Sequence, residues 1–179
     1  MEPVSRASII EFLNRLGGQF PSTASFYLLG GSALCFLGSP RETLDIDYTT
    51  DLDQNNVKEV ENIIHQLASQ LKLDVESFPI GEFIPLPPNA TARRRFIGRF
   101  GSMDVYIFDL YTISLSKIAR GFDADIEDVL FLLKQRLISF ELLEQYFRIV
   151  LPDAPKLDID RNEFSEYFKE LRSRWVLHN

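Results

Sequence analysis

A chain of 179 residues with 45% hydrophobic content can bury a core of its own, and its length argues for one domain with a helical annex. A net charge of −7 and a pI near 4.9 exclude broad electrostatic binding to nucleic acid and leave room only for a local basic patch. The single cysteine, Cys35, excludes an internal disulfide; without a basic-then-apolar leader or an apolar run of about 18 residues, a cytoplasmic protein is expected.

In chain order, Ile9, Ile10, Leu13 and Leu16 repeat at helical spacing and predict a first helix that stops at Gly17-Gly18. Ser25 to Leu29 reads as a short strand running into Gly30-Gly31, and Ser32 to Leu37 as a short helix ending before Gly38-Ser39-Pro40. Leu44, Ile46 and Tyr48 then alternate with Asp45, Asp47 and Thr49, the period of a strand. Val57, Val60, Ile63, Ile64, Leu67 and Leu71 mark a long amphipathic helix with Asn55 or Asn56 as its cap.

Leu73 to Phe78 predicts another strand, and Pro79 to Ala90, rich in proline, a surface loop. Ala92 to Phe100 and Met103 to Phe108 are β-prone runs joined by Gly101-Ser102, which favours a hairpin and makes the sheet mixed. Beyond Leu110 the pattern is helical: to about Arg120, from about Ala124 to Leu137, from Ser139 to Val150, and from Asp160 onward after Pro152 and Pro155. The expected organisation is an α/β core over residues 1–109 and a C-terminal helical region over 110–179, with a soft boundary.

The chemistry concentrates between Leu28 and Tyr48. On a strand, Asp45 and Asp47 project from one face about 7 Å apart. Two such acids can ligate Mg²⁺ or Mn²⁺. Just upstream, the Gly30-Gly31-Ser32 turn leads into a helix whose free N–H groups can hold a phosphate, with glycine allowing the anion near the backbone. A phosphate holder beside a metal holder points to a nucleotide site. A nucleotide-sugar glycosyltransferase also uses an acid-x-acid pair but leaves the Gly-Gly-Ser turn without a role.

The run GGSALCFLGSPRETLDIDY resembles the first motif of the nucleotidyltransferase superfamily that includes DNA polymerase beta-like and aminoglycoside-modifying enzymes. Within it, the AbiEii-type toxin nucleotidyltransferases are most similar, through Gly30, Gly31, Ser32, Ala33, Leu34, Gly38, Arg41, Thr43, Asp45, Ile46 and Asp47. Twelve residues lie between Ser32 and Asp45, a longer spacing than in the minimal and aminoglycoside branches. The segment KIARGFDADIEDVLFLL resembles the later motifs of that branch, with Lys117 and Arg120 followed by Asp125 and Asp128. The resemblance implies that Lys117 contacts phosphate, that Asp125 supports catalysis, and that Arg41, Thr43, Arg120 and Asp128 belong to the substrate site. It also implies a third carboxylate from a neighbouring strand. Asp104 in MDVYIFD is the first candidate; Asp109 and Asp74 compete with it.

Arg93, Arg94, Arg95 and Arg99 place positive charge on the predicted hairpin, where it either steers a triphosphate or RNA or solubilises an edge strand. His65 and His178 have no zinc partners in the sequence pattern, Cys35 falls on an apolar helical stripe, and Tyr167, Phe168 and Trp175 read as packing or a partner surface. The functional expectation is a metal-dependent enzyme that moves a nucleoside monophosphate from a nucleoside triphosphate to an RNA, protein or small-molecule acceptor, as the toxin-like half of a toxin–antitoxin or phage-defence pair with a cognate partner. The competing expectation is a non-catalytic partner or antitoxin-type protein that keeps the fold.

Overall fold

The computed structural model describes residues 3–20, 23–52 and 54–177, and the chain separates into two compact units. One comprises Met1–Phe78 with Arg94–Phe108; the other comprises Pro79–Arg93 with Asp109–Asn179.

In the first unit, α1 (Arg6–Gln19) starts at a capping box: the Ser8 N–H donates to Ser5 Oγ at 3.1 Å, and the Ser5 N–H donates to Ser8 Oγ at 2.8 Å. The helix continues through Gly17 and Gly18 instead of stopping there. Gly17 serves close packing, because a methyl group at that position would overlap the carbonyl of Phe100. Next come β1 (Ala24–Leu28), α2 (Gly30–Phe36) and β2 (Asp45–Thr50). Then α3 (Gln54–Leu71) and β3 (Asp74–Ser77) follow. Since α3 begins at Gln54, Asn56 lies inside it; the expected capping role of the Asn55 side chain lies outside the described residues.

The unit closes with β4 (Arg95–Phe100) and β5 (Met103–Ile107), a hairpin in which Phe100 pairs with Met103 across Gly101-Ser102. The strand order is β3-β2-β1-β5-β4, with β1–β5 and β2–β3 parallel and β1–β2 and β4–β5 antiparallel. This is the mixed α/β sheet expected from the sequence.

One face of the sheet is apolar and covered. Phe26, Leu28, Ile46, Tyr48, Val105 and Ile107 are buried there, and Phe12 of α1 lies 6.4 Å from Phe26, which stacks on Tyr48 at 4.8 Å. Packed against both α1 and β3, α3 supplies Val60, Ile64 and Leu67. Side chains at the alternate positions, among them Asp45, Asp47, Thr49, Tyr27, Asp104 and Tyr106, stand on the opposite face and are mostly half-buried.

In the second unit, the Pro79–Arg93 stretch carries 3₁₀ turns at Ile80–Glu82 and Ala90–Arg93. Arg93 therefore precedes the hairpin on which it was expected. Its guanidinium grips Asp109 at 2.8 and 2.7 Å and lies over the Tyr146 ring at 4.4 Å, which ties the stretch to the helices. Four helices make the bulk of this unit: α4 (Leu110–Arg120), α5 (Asp123–Lys134), α6 (Phe140–Val150) and α7 (Arg161–Leu177). Asp160 caps α7 through the N–H groups of Asn162 and Glu163. Phe147 fills the core between Phe164 and Phe168, with ring centroids 4.9 and 4.1 Å away. No helix of the described residues is long and apolar enough to cross a membrane.

Candidate active site

The Gly-Gly-Ser turn is built against the two strand carboxylates. Gly30 opens α2 at φ +48°, a left-handed conformation that costs other residues about 1–2 kcal/mol. A methyl group there would overlap Asp47 Oδ2, and one on Gly31 would overlap Thr43 Oγ1. The backbone of the turn thus lies against the Asp47 side chain at Gly30 and against the Thr43 side chain at Gly31, closer than a Cβ would allow. The first intrahelical bond of α2 runs from the Ala33 N–H to the Leu29 carbonyl at 2.8 Å. By position, the preceding N–H groups of Gly30, Gly31 and Ser32 are not consumed by the helix itself.

Ser32 departs from its expected role. Its hydroxyl is buried and donates to the Leu29 carbonyl at 2.9 Å and the Asp47 carbonyl at 3.3 Å, so it stitches the helix start to β2 instead of facing a phosphate. Thr43 holds Asp45: its hydroxyl donates to Asp45 Oδ1 at 2.9 Å, while its carbonyl accepts from the Val4 N–H at 2.8 Å. Gly30, Gly31, Thr43, Asp45 and Asp47 are therefore gathered at one end of β2. Arg41 is exposed on the loop that leads into this strand.

Asp104 is not gathered with them. It pairs in register with Ser25 on β1, whereas Asp47 accepts the Leu29 N–H at 2.9 Å, four residues further along that strand. That separation is about 13 Å along the sheet, with β1 intervening. Both Asp104 oxygens accept from Arg99, at 2.7 and 2.9 Å, and the guanidinium holds the carboxyl below its ordinary range. The structure thus places Asp104, the expected third carboxylate, apart from Asp45 and Asp47. Asp109 is also committed, being fully buried, paired with Arg93, and hydrogen-bonded to the Thr112 N–H at 3.2 Å and hydroxyl at 2.7 Å as the cap of α4.

The strand beside β2 instead carries acids in register with the pair. Asp74 lies opposite Asp45 and Glu76 opposite Asp47, both exposed, with the buried Val75 on the other face beside Ile46. Asp74 was one of the sequence candidates. Glu76 was missed, although the alternation in Asp74-Val75-Glu76 mirrors Asp45-Ile46-Asp47.

In the helical unit, Lys117, Asp125, Asp128 and Arg120 do come together, in a closed ion network. Lys117 Nζ donates to Asp128 at 2.7 Å and to Asp125 at 3.2 Å, and Arg120 donates to Asp125 at 2.6 Å. Lys117, Asp125 and Asp128 are each no more than 3% exposed, and Asp125 Oδ2 has no hydrogen-bond partner among the described residues. The ammonium expected to meet a phosphate is thus already neutralised by two buried carboxylates.

Residues 7–172 match the family described as nucleotidyltransferase of unknown function (DUF6036). The chain belongs to this nucleotidyltransferase family. Its fold is similar to that of an antigenic nucleotidyltransferase-like protein from Paracoccidioides brasiliensis, with a TM-score of 0.53 and 18% identity over 92% of this chain and 95% of the other. No curated protein matches it.

For a nucleotidyltransferase-family domain, the donor set at β2 decides what metal it suits. Among the described residues, no three His, Cys, Asp or Glu side chains are grouped to hold an ion. Asp45 and Asp47, half-buried on one strand face, fit an ion such as Mg²⁺ that keeps waters and shares phosphate oxygens; they do not form a closed protein cage.

Proposed function

We propose that the chain transfers a nucleoside monophosphate from a nucleoside triphosphate to an acceptor hydroxyl, with Asp45 and Asp47 at the centre. The observation that supports this reading is the contact of the Gly30-Gly31 backbone with the side chains of Asp47 and of Thr43, whose hydroxyl in turn holds Asp45. In this reading the Gly30 and Gly31 N–H groups orient the phosphates, and Asp45, held by Thr43, and Asp47 hold Mg²⁺ or Mn²⁺. When bound, that ion supplies charge neutralisation on the phosphoryl oxygens. The acceptor oxygen bonds to the α-phosphorus, pyrophosphate leaves with the bridging oxygen, and the acceptor proton passes to solvent. Asp74 and Glu76 flank the pair as the nearest further carboxylates by register.

The finer placing we propose is the AbiEii-type branch, on its Gly30-to-Asp47 motif, with a cytoplasmic, toxin-like role beside a cognate partner protein. The test is incubation with α-labelled triphosphates and Mg²⁺ against total RNA, protein and small-molecule pools. Label transfer is expected from the wild type. The Asp45→Asn variant should lose on the order of a thousandfold, the several kcal/mol a metal centre supplies; unchanged transfer by this variant would refute the assigned site. One observation favours a second reading, a non-catalytic partner that keeps the fold: the described residues hold no three-carboxylate group. Absence of Mg²⁺-dependent triphosphate binding would select it.

A further inference from the structure

On the sheet face of the first unit that carries the carboxylates, a row of aromatic rings runs from the edge strand toward them, exposed at its Phe96 end. Phe96 of β4 lies 5.4 Å from Tyr106 of β5, which stacks on Tyr27 of β1 at 5.5 Å; Phe108 meets Tyr27 edge-on at 5.8 Å. Arg94 donates to the Tyr27 hydroxyl at 2.8 Å and lays its guanidinium 4.5 Å over the Tyr106 ring. Tyr27 pairs with Thr49, two residues from Asp47 on the same face of β2. From β4 to β2 is three strand spacings, about 14 Å.

Tyr27 is buried beneath this stack, but Phe96 is 61% exposed, and Arg94 is exposed beside it. A bare phenyl ring and a stacked guanidinium on a sheet face make a surface that binds planar groups by stacking and offers cations to the phosphates between them. Bases inside a duplex are already stacked and cannot reach such a surface; unpaired bases can. Stacking also suits a chain of net charge −7, which lacks the broad positive field of a general nucleic-acid binder.

We propose that Phe96 and Arg94, backed by Tyr106 and Tyr27, form a platform for the bases of a single-stranded nucleic-acid acceptor. The platform leads the strand's end toward Asp45 and Asp47. The proposal rests on the reading of those aspartates as the transfer centre, but its binding test does not use them. Fluorescence anisotropy of a labelled single-stranded oligoribonucleotide is measured in EDTA without triphosphate. Wild type binds it and does not bind the matching duplex. Phe96→Ala and Arg94→Gln each weaken binding on the order of tenfold at an unchanged melting temperature, whereas Phe96→Trp preserves it. The proposal is overturned if wild type does not bind single strands, or if Phe96→Ala binds them as wild type does. It is also overturned if Phe96→Ala weakens Mg²⁺–triphosphate binding instead, which would give the platform to the incoming base, or if its only effect is to dissociate a dimer. Failure in EDTA leaves the aspartate reading intact, and loss of transfer in Asp45→Asn with intact oligonucleotide binding leaves the platform intact.

Discussion

Asp45 with Asp47 and Asp125 with Asp128 are both aspartate pairs a few residues apart, yet their surroundings differ in kind. The first pair stands half-buried on the sheet face opposite the apolar core, with the Gly30 backbone against Asp47 and the Thr43 hydroxyl holding Asp45. The second is buried with Lys117 between its members and Arg120 on its rim, so two positive and two negative charges balance in a closed network. Half-buried carboxylates on a sheet face can take a cation and its substrate. Carboxylates already neutralised in the interior fix helices in place, and the cost of burying such ions means that removing one partner is felt strongly.

The largest effect is expected from Lys117→Met. It removes the buried ammonium that lies between Asp125 and Asp128, leaving Arg120 on Asp125, and is expected to lower unfolding free energy by about 3 kcal/mol in denaturant titration. Replacing Lys117, Asp125 and Asp128 together by apolar side chains should recover most of that loss. A stable, fully folded Lys117→Met would show that the network is not structural. Arg93→Ala applies the same logic to the fully buried Asp109 and should cost about 3 kcal/mol.

Gly30→Ala probes the other region. A left-handed alanine should cost about 1–2 kcal/mol in stability. Because the added methyl displaces Asp47, triphosphate affinity should fall by more than that stability loss explains. Equal losses in binding and stability would argue that the turn is only a turn. The smallest effect is expected at Arg99→Gln. Asp104 should then titrate higher than in the wild type, as followed by carboxyl NMR shifts. Transfer should be unaffected, since Asp104 lies at the other end of the sheet.

Much of this was legible in the sequence because it rests on local rules. Period-two alternation found β2, helical spacing found α3 through α7, and Gly30-Gly31 beside Asp45 and Asp47 is chemistry carried by adjacent elements. What was not legible depends on partners distant in sequence. Gly17 read as a helix stop because the Phe100 carbonyl that requires it is supplied by the β4–β5 turn. Asp104 read as a third carboxylate because alternation gives a residue's face but not which end of a neighbouring strand it meets. The parallel β1–β5 register set it beside Ser25. Lys117 read as a phosphate contact because its pairing with Asp125 and Asp128 depends on the way α5 packs on α4, which the sequence does not display. Glu76 escaped notice because the register of β3 against β2 has no local sequence signature.

Isothermal titration of Mg²⁺ and a nucleoside triphosphate into wild type and Asp47→Asn tests the central claim most directly, because it needs no knowledge of the acceptor. Wild type should bind in a Mg²⁺-dependent manner, and an Asp47→Asn protein of near-native stability should lose that binding on the order of a hundredfold or more. Equal binding by both proteins, or metal-independent binding, would contradict the claim.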